Sequence, residues 1–186
     1  MKISAIGASV AVIVASVASA DVTYTFVNQT WTGLDFNEAF AASTLTGTLT
    51  AVKANATLNA SVNLTYADDL CVYMSPLPAE GGLLQVGGFT SLNADQRYAW
   101  TNGGSSAPGT VVSSTRFLTT GINMAANPTQ SIWVGNGYGG PGAPGTSGTW
   151  TGTITLVGVD LAPVPAPGAV ALLGLAGAIG GRRRRA

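Results

Sequence analysis

Reactive side chains are scarce in this chain of 186 residues, and it has no histidine. That removes Ser-His-Asp catalysis, Cys-His catalysis and histidine metal sites together. The densest acidic pair is Asp68-Asp69, in Tyr66-Ala67-Asp68-Asp69-Leu70-Cys71. Neighbours on a strand point to opposite faces, so adjacency alone does not make an acid–base pair of them. Carboxylates at the entry to a strand suit Ca²⁺, which seeks oxygen ligands, with Asp35, Glu38 and Asp95 as further donors. The competing expectation is a solvated turn. No pair of carboxylates has a spacing that recommends glycoside hydrolysis. Cys71, the single cysteine, stands in Leu-Cys-Val-Tyr-Met and reads as a small core residue. No nearby Lys or Arg in the sequence lowers its pKa. A lone cysteine also excludes an internal disulfide and a Cys-rich zinc site.

Aromatic residues offer a second kind of chemistry, stacking on the apolar faces of sugars. The chain has four tryptophans, Trp31, Trp100, Trp133 and Trp150, and Tyr138 lies in a glycine-rich stretch. Trp100 and Tyr138 border glycine-rich loops and are the candidate ligand-binding residues. Trp150 falls in register with Ile154 and Leu156, which assigns it to the core. Gly135-Asn136-Gly137-Tyr138-Gly139-Gly140 spells a dinucleotide fingerprint in letters. That motif needs a helix after its glycines, and Pro141, Gly142, Pro144, Gly145 and Gly148 forbid one. A loop is expected there instead. Threonines at 44, 46, 48 and 50, and at 149, 151, 153 and 155, form one-faced rows like those of ice-binding proteins. Such a face needs several aligned strands, and exposed threonine is common on strands anyway.

Strands must position these residues. Residues 57 to 66 alternate strictly, with Leu58, Ala60, Val62, Leu64 and Tyr66 expected on the buried side. Trp150, Gly152, Ile154 and Leu156 repeat the pattern. Shorter candidates are 22–27, 45–52, 70–74, 83–86, 111–118 and 131–134, separated by Gly, Asn and Pro. No stretch between the two ends of the chain reads as a helix. The expected fold is all-β, an antiparallel β-sandwich or jelly roll over 21–161.

The two ends read as addresses. Lys2, an apolar run from Ala5 to Val17 and Ala18-Ser19-Ala20 before Asp21 make a secretory signal peptide over residues 1–20. Signal peptidase would cut after Ala20, so the mature chain would start at Asp21. At the other end, prolines 163, 165 and 167 stiffen a tether over 162–168. Ala169 to Gly181 is apolar, and Arg182, Arg183, Arg184 and Arg185 follow. An apolar helix closed by arginines halts in a bilayer with its basic end in the cytoplasm. Its 13 residues cover only about 20 Å of a core of about 30 Å. That suits a transient or short anchor. Between Asp21 and Pro163, three basic residues stand against eight acidic ones, a net of −5. This argues against binding nucleic acid or anionic lipid by charge.

Val164-Pro165-Ala166-Pro167-Gly168, the Leu-Gly-Leu-Ala-Gly stretch and the arginine tail resemble the sorting signal of PEP-CTERM proteins. The resemblance covers about the last 24 residues. It implies a bacterial precursor held briefly in the inner membrane, cut by an exosortase-type protease near Pro165–Gly168, and passed to the cell surface or outer envelope. Ala166 stands where that family usually has glutamate. Residues 66–76, with Gly148-Thr-Trp-Thr-Gly152 later, are similar to P-domain jelly rolls. Asp68 replaces that family's glycine, and its acidic closing loop is missing. Together these features predict a secreted, non-enzymatic envelope, matrix or adhesive component. A carbohydrate-binding module, with or without Ca²⁺ as cofactor, is the alternative, and an ice-binding protein a remoter one.

Overall fold

The computed structural model describes residues 21–78 and 81–163, and within them the secondary structure is almost wholly strand. Both expected terminal helices, the cleavage residues Ala18 and Ala20, and the sorting residues Pro165, Ala166, Pro167, Gly168 and Arg182 to Arg185 lie outside the described residues. Nine strands are seen: β1 (Val22–Thr32), β2 (Phe36–Phe40), β3 (Leu45–Val62), β4 (Leu70–Ser75), β5 (Gly82–Val86), β6 (Ala94–Tyr98), β7 (Val111–Asn123), β8 (Ser131–Asn136) and β9 (Ser147–Leu161). They form two sheets, β1-β9-β3-β7 and β2-β8-β4-β5-β6.

The alternating strand β9 occupies the middle of the first sheet, where Trp150, Ile154 and Leu156 are fully buried. Its threonines 149, 151, 153 and 155 stay part-exposed on the other face. Leu49, Val52 and Leu58 of β3 and Leu70, Val72, Met74, Leu84, Val86, Ile132 and Val134 of the second sheet complete one core. Each fully buried aliphatic side chain contributes about 1.5–3 kcal/mol to holding the sheets together. Trp31 and Trp150 meet inside it with ring centroids 5.8 Å apart.

Three features depart from the sequence reading. First, the two expected strands 45–52 and 57–66 are one strand, and the alternation does not survive to its end. β3 pairs with β9 at Leu58↔Trp150 and then at Ala60↔Thr149, which leaves Asn59 as an extra residue. A bulge of one residue exchanges the two faces beyond it, so Val62 is exposed rather than buried, and Leu64 and Tyr66, expected on the same buried side, lie past the strand's end and are exposed too. Asn59 Nδ2 donates to Asn28 Oδ1 and to Thr151 Oγ1, each at 2.8 Å. Asn28 lies at a matching irregularity in β1, with φ of +48°. The two bulges flank Thr151 of the central strand.

Second, the sandwich is not purely antiparallel, because β5 and β6 pair in parallel. Only residues 87–93 connect them, where parallel neighbours usually need a dozen residues or more. The connection succeeds because it folds flat over the outer face of its own sheet. Gln85, fully buried, donates to the carbonyl of Thr90 and accepts from the N–H of Leu92, and the Tyr73 hydroxyl donates to Leu92 O at 2.6 Å. Third, that cover buries the second face too. Phe36, Cys71, Tyr73 and Leu92 form a small satellite core, so every residue of β4 is buried.

Candidate functional site

Asp68 and Asp69 are not on a strand. They close a 3₁₀ turn, Ala67–Asp69, that delivers the chain into β4. The turn is tied to the glycine-rich loop 102–109, since Ala67 N donates to Ser105 O and Asp68 N to Gly103 O. Ahead of it, β3 ends in a β-turn over Val62–Thr65, whose closing Thr65 N–H bonds Val62 O. Asn63 and Leu64 both have positive φ, +52° and +60°. Asparagine tolerates that region, but leucine there is strained. The turn holds because the buried Thr65 donates its hydroxyl to Val62 O, and Ser61 donates to Thr65 O. Leu64 and Tyr66 consequently face outward at 68 % and 40 % exposure.

Two loops from other parts of the chain meet this turn. Gly87-Gly88-Phe89 follows β5, and Gly137-Tyr138 follows β8. Gly88 N donates to Asp68 O at 3.0 Å, Gly137 N to Asp69 O at 2.7 Å, and Thr90 N to Gly137 O at 2.8 Å. Asn136 fixes Tyr138 by accepting from its N–H and donating to its carbonyl, and Thr146 donates to the same carbonyl. Phe89, 75 % exposed, packs edge-on against Tyr138 with centroids 5.6 Å apart. Arg97 reaches from β6 and donates through Nη2 to Phe89 O at 2.8 Å.

These residues line two adjoining hollows. One, of about 190 Å³, is walled by Leu64, Tyr66, Asp69, Phe89 and Tyr138. The other, of about 360 Å³, shares Tyr66, Asp69 and Phe89 and adds Asp68, Arg97 and Trp100 among its walls. The result is a cleft with an aromatic half and a charged half. Burial pushes the Asp69 carboxyl up to about 6, against hydrogen bonds from the Tyr66 and Phe89 backbones that hold it down, while the neighbouring Asp68 charge raises it further. Burial also raises Asp68, partly offset by its own backbone N–H.

Four residues singled out from the sequence therefore converge here: Asp68, Asp69, Trp100 and Tyr138. Trp100 is a correction in role. It is 6 % exposed, and its Nε1 donates to Leu70 O at 2.6 Å. It forms the floor of the larger hollow and offers no free face for stacking. Asp35, Glu38 and Asp95 do not join the aspartates; among the described residues no three His, Cys, Asp or Glu side chains gather. Cys71 is fully buried, and burial pushes its thiol up, away from reactivity. The 135–140 glycines end β8 and enter a loop without a helix. The first threonine row is interrupted, since Thr44 precedes β3 and the β3–β9 register shifts between Gly47 and Ala51, while the β9 row keeps one face. Thr23 and Thr30 of β1 hydrogen-bond Thr155 and Thr149 of β9.

The sequence reading missed Phe89, Leu64, Tyr66 and Arg97, having placed Leu64 and Tyr66 on a buried strand face. Phe89 had a signal, a Gly-Gly pair directly before an aromatic between two strands. Arg97 had none, because nothing local marks β6 as a strand beside the cleft. No family model, curated protein or solved structure matches the chain.

Proposed function

We propose that this is an exported, surface-directed, non-enzymatic protein that binds a neutral saccharide in the cleft between Tyr66, Phe89 and Tyr138. One observation carries the reading. Three aromatic side chains from three separate loops share a cleft with the carboxylates of Asp68 and Asp69 and the guanidinium of Arg97. Aromatic faces cover the apolar faces of a sugar ring, while the Asp68 carboxylate and the Arg97 guanidinium of the charged half pair with its hydroxyls. The body's net charge of −5 disfavours anionic ligands.

Export rests on the sequence of the two ends: signal peptidase acts at Asp21 and an exosortase-type protease near Pro165–Gly168. The jelly-roll reading is supported by strand order. With β6 set aside, 1-9-3-7 facing 2-8-4-5 is the order that two Greek keys generate. In this reading β6 is an addition at the sheet edge, and its contribution to the cleft is Arg97.

Titration of the protein against a panel of neutral oligosaccharides, with and without Ca²⁺, tests the proposal. Saturable binding that is lost in Phe89→Ala supports it. No binding to any member of the panel under either condition overturns it.

A further inference from the structure

We propose that Asp69 is the positioning residue of the cleft, tying the turn and loops that carry its aromatic wall, and that neutralising its carboxylate slackens that wall and releases the ligand. The inference rests on the saccharide reading for its ligand, but its structural half stands without it. Asp69 touches the supports of all three aromatics. Its Oδ2 accepts from the Tyr66 N–H at 2.7 Å, and the Phe89 backbone amide beside it also favours the charged form. Its backbone carbonyl accepts from Gly137 N, one residue before Tyr138. A carboxylate serves two amide donors at once. A neutral acid keeps one good acceptor and carries a proton that needs an acceptor of its own.

The charged groups around it come from several elements. Asp68 lies in the same turn, Cys71 on β4 and Arg97 on β6, and the Tyr66 and Tyr138 phenols line the same hollow. The 87–93 connection carries no titratable side chain. The two carboxyls are the acidic groups among them, and both are raised by burial. Asp69 is 6 % exposed and holds the Tyr66 amide through its side chain; Asp68 is more open, and only its backbone is bonded there, its carbonyl accepting from Gly88 N.

Two opposite responses follow from one protonation. Burial favours the neutral acid, so the whole fold gains stability. The amide bonds to Tyr66 and Phe89 favour the carboxylate, so the wall of the cleft loosens. Losing one charge-assisted hydrogen bond weakens binding by about tenfold.

The test follows the backbone ¹⁵N–H signals of Tyr66 and Phe89 in the whole protein from pH 4.5 to pH 7.5. Wild type, Asp69→Asn and Asp68→Asn are compared, with the affinity for cellohexaose, xylohexaose and mannohexaose measured in parallel. Both amides are expected to titrate together near pH 6 in wild type and Asp68→Asn, and not in Asp69→Asn. Affinity for the sugar that binds should fall about tenfold across the same step and be flat in Asp69→Asn. Amides that fail to titrate in wild type overturn the proposal, and this arm needs no variant to fold. A titration that persists in Asp69→Asn assigns it to another group and overturns it too. Titrating amides with no sugar bound at any pH would remove the saccharide reading while leaving Asp69 as the positioning residue of the three loops.

Discussion

Gly88 and Gly137 meet backbone to backbone: a Cβ on Gly137 would lie 2.5 Å from the Cα of Gly88, and a Cβ on Gly88 would lie 2.8 Å from the Cα of Gly137. The contact joins the loop carrying Phe89 to the loop carrying Tyr138. Gly88 also has φ of +77°, a conformation that L side chains rarely adopt. Gly88→Ala should therefore destabilise the fold by about 1–3 kcal/mol and separate the two aromatics. Gly142→Ala, with open space around its Cβ position, should stay within about 0.5 kcal/mol. Denaturant unfolding of the two variants side by side measures the contrast.

Phe89 and Trp100 should behave as opposites. Phe89→Ala removes an exposed ring, so sugar affinity falls about tenfold or more while stability falls by less than about 1.5 kcal/mol, the worth of its pairing with Tyr138. Trp100→Phe removes a buried N–H donor to Leu70 O and costs about 1–3 kcal/mol of stability. Its effect on affinity should be small. Calorimetry of binding and thermal melting, run on both variants, separates the two roles.

Leu64 trades stability for the cleft. Leu64→Gly places the favoured Asn-Gly pair in a turn that needs two positive φ angles. We expect a gain of roughly 0.5–1 kcal/mol together with weaker ligand binding, because one wall of the smaller hollow is lost. A variant that loses stability would show that Leu64 is held by packing rather than strained.

Acid should stabilise the fold. The Asp69 carboxyl is raised from 3.8 to about 6 by burial, so its contribution is fully present below the ordinary value and is lost as pH rises through about 6. Asp68, also raised, adds in the same direction. Unfolding free energy should thus decline between about pH 4 and pH 7, by an amount on the order of 2–3 kcal/mol. In Asp69→Asn most of this slope should vanish. A wild-type profile that rises over the interval would contradict the buried, raised carboxyl.

Processing of the two ends is checked by intact mass and fractionation. The mature species should begin at Asp21 and end near Pro165–Gly168, and Arg182–Arg185→Ala should leave an uncut precursor in the membrane fraction. Retention of the apolar segment in wild type would make it a short anchor instead.

Where local pattern and global position agree, the fold was legible. β9 alternates because one of its faces is core and the other is solvent, and the strands around Leu70 and Ser131 are apolar because both their faces are covered. β2 and β6 were not legible. Each has five residues, and Phe-Asn-Glu-Ala-Phe and Ala-Asp-Gln-Arg-Tyr are strands only because a neighbour supplies the pairing. The end of β3 misled for a different reason. Its alternation is real, but the Asn59 bulge depends on Asn28 and Thr151, distant partners that no local pattern reveals. In the site, Asp68, Asp69 and Tyr138 could be named from their neighbours. Their convergence could not, because it depends on glycine contacts between loops roughly fifty residues apart. Trp100 was misjudged because a tryptophan beside a glycine-rich loop reads as exposed until its N–H is seen to have a buried acceptor.

The place of β9 has a consequence for when the protein can fold. Among the described residues this strand is the last in chain order, yet it lies between β1 and β3 and joins them. A chain emerging N-terminus first, from a ribosome or through a translocation channel, holds two unsatisfied strand edges until residues 147–161 are clear. Closing the sheet then spans well over a hundred residues, which makes it a late and slow event. The architecture therefore delays its own completion and keeps the strands before it threadable until β9 has passed.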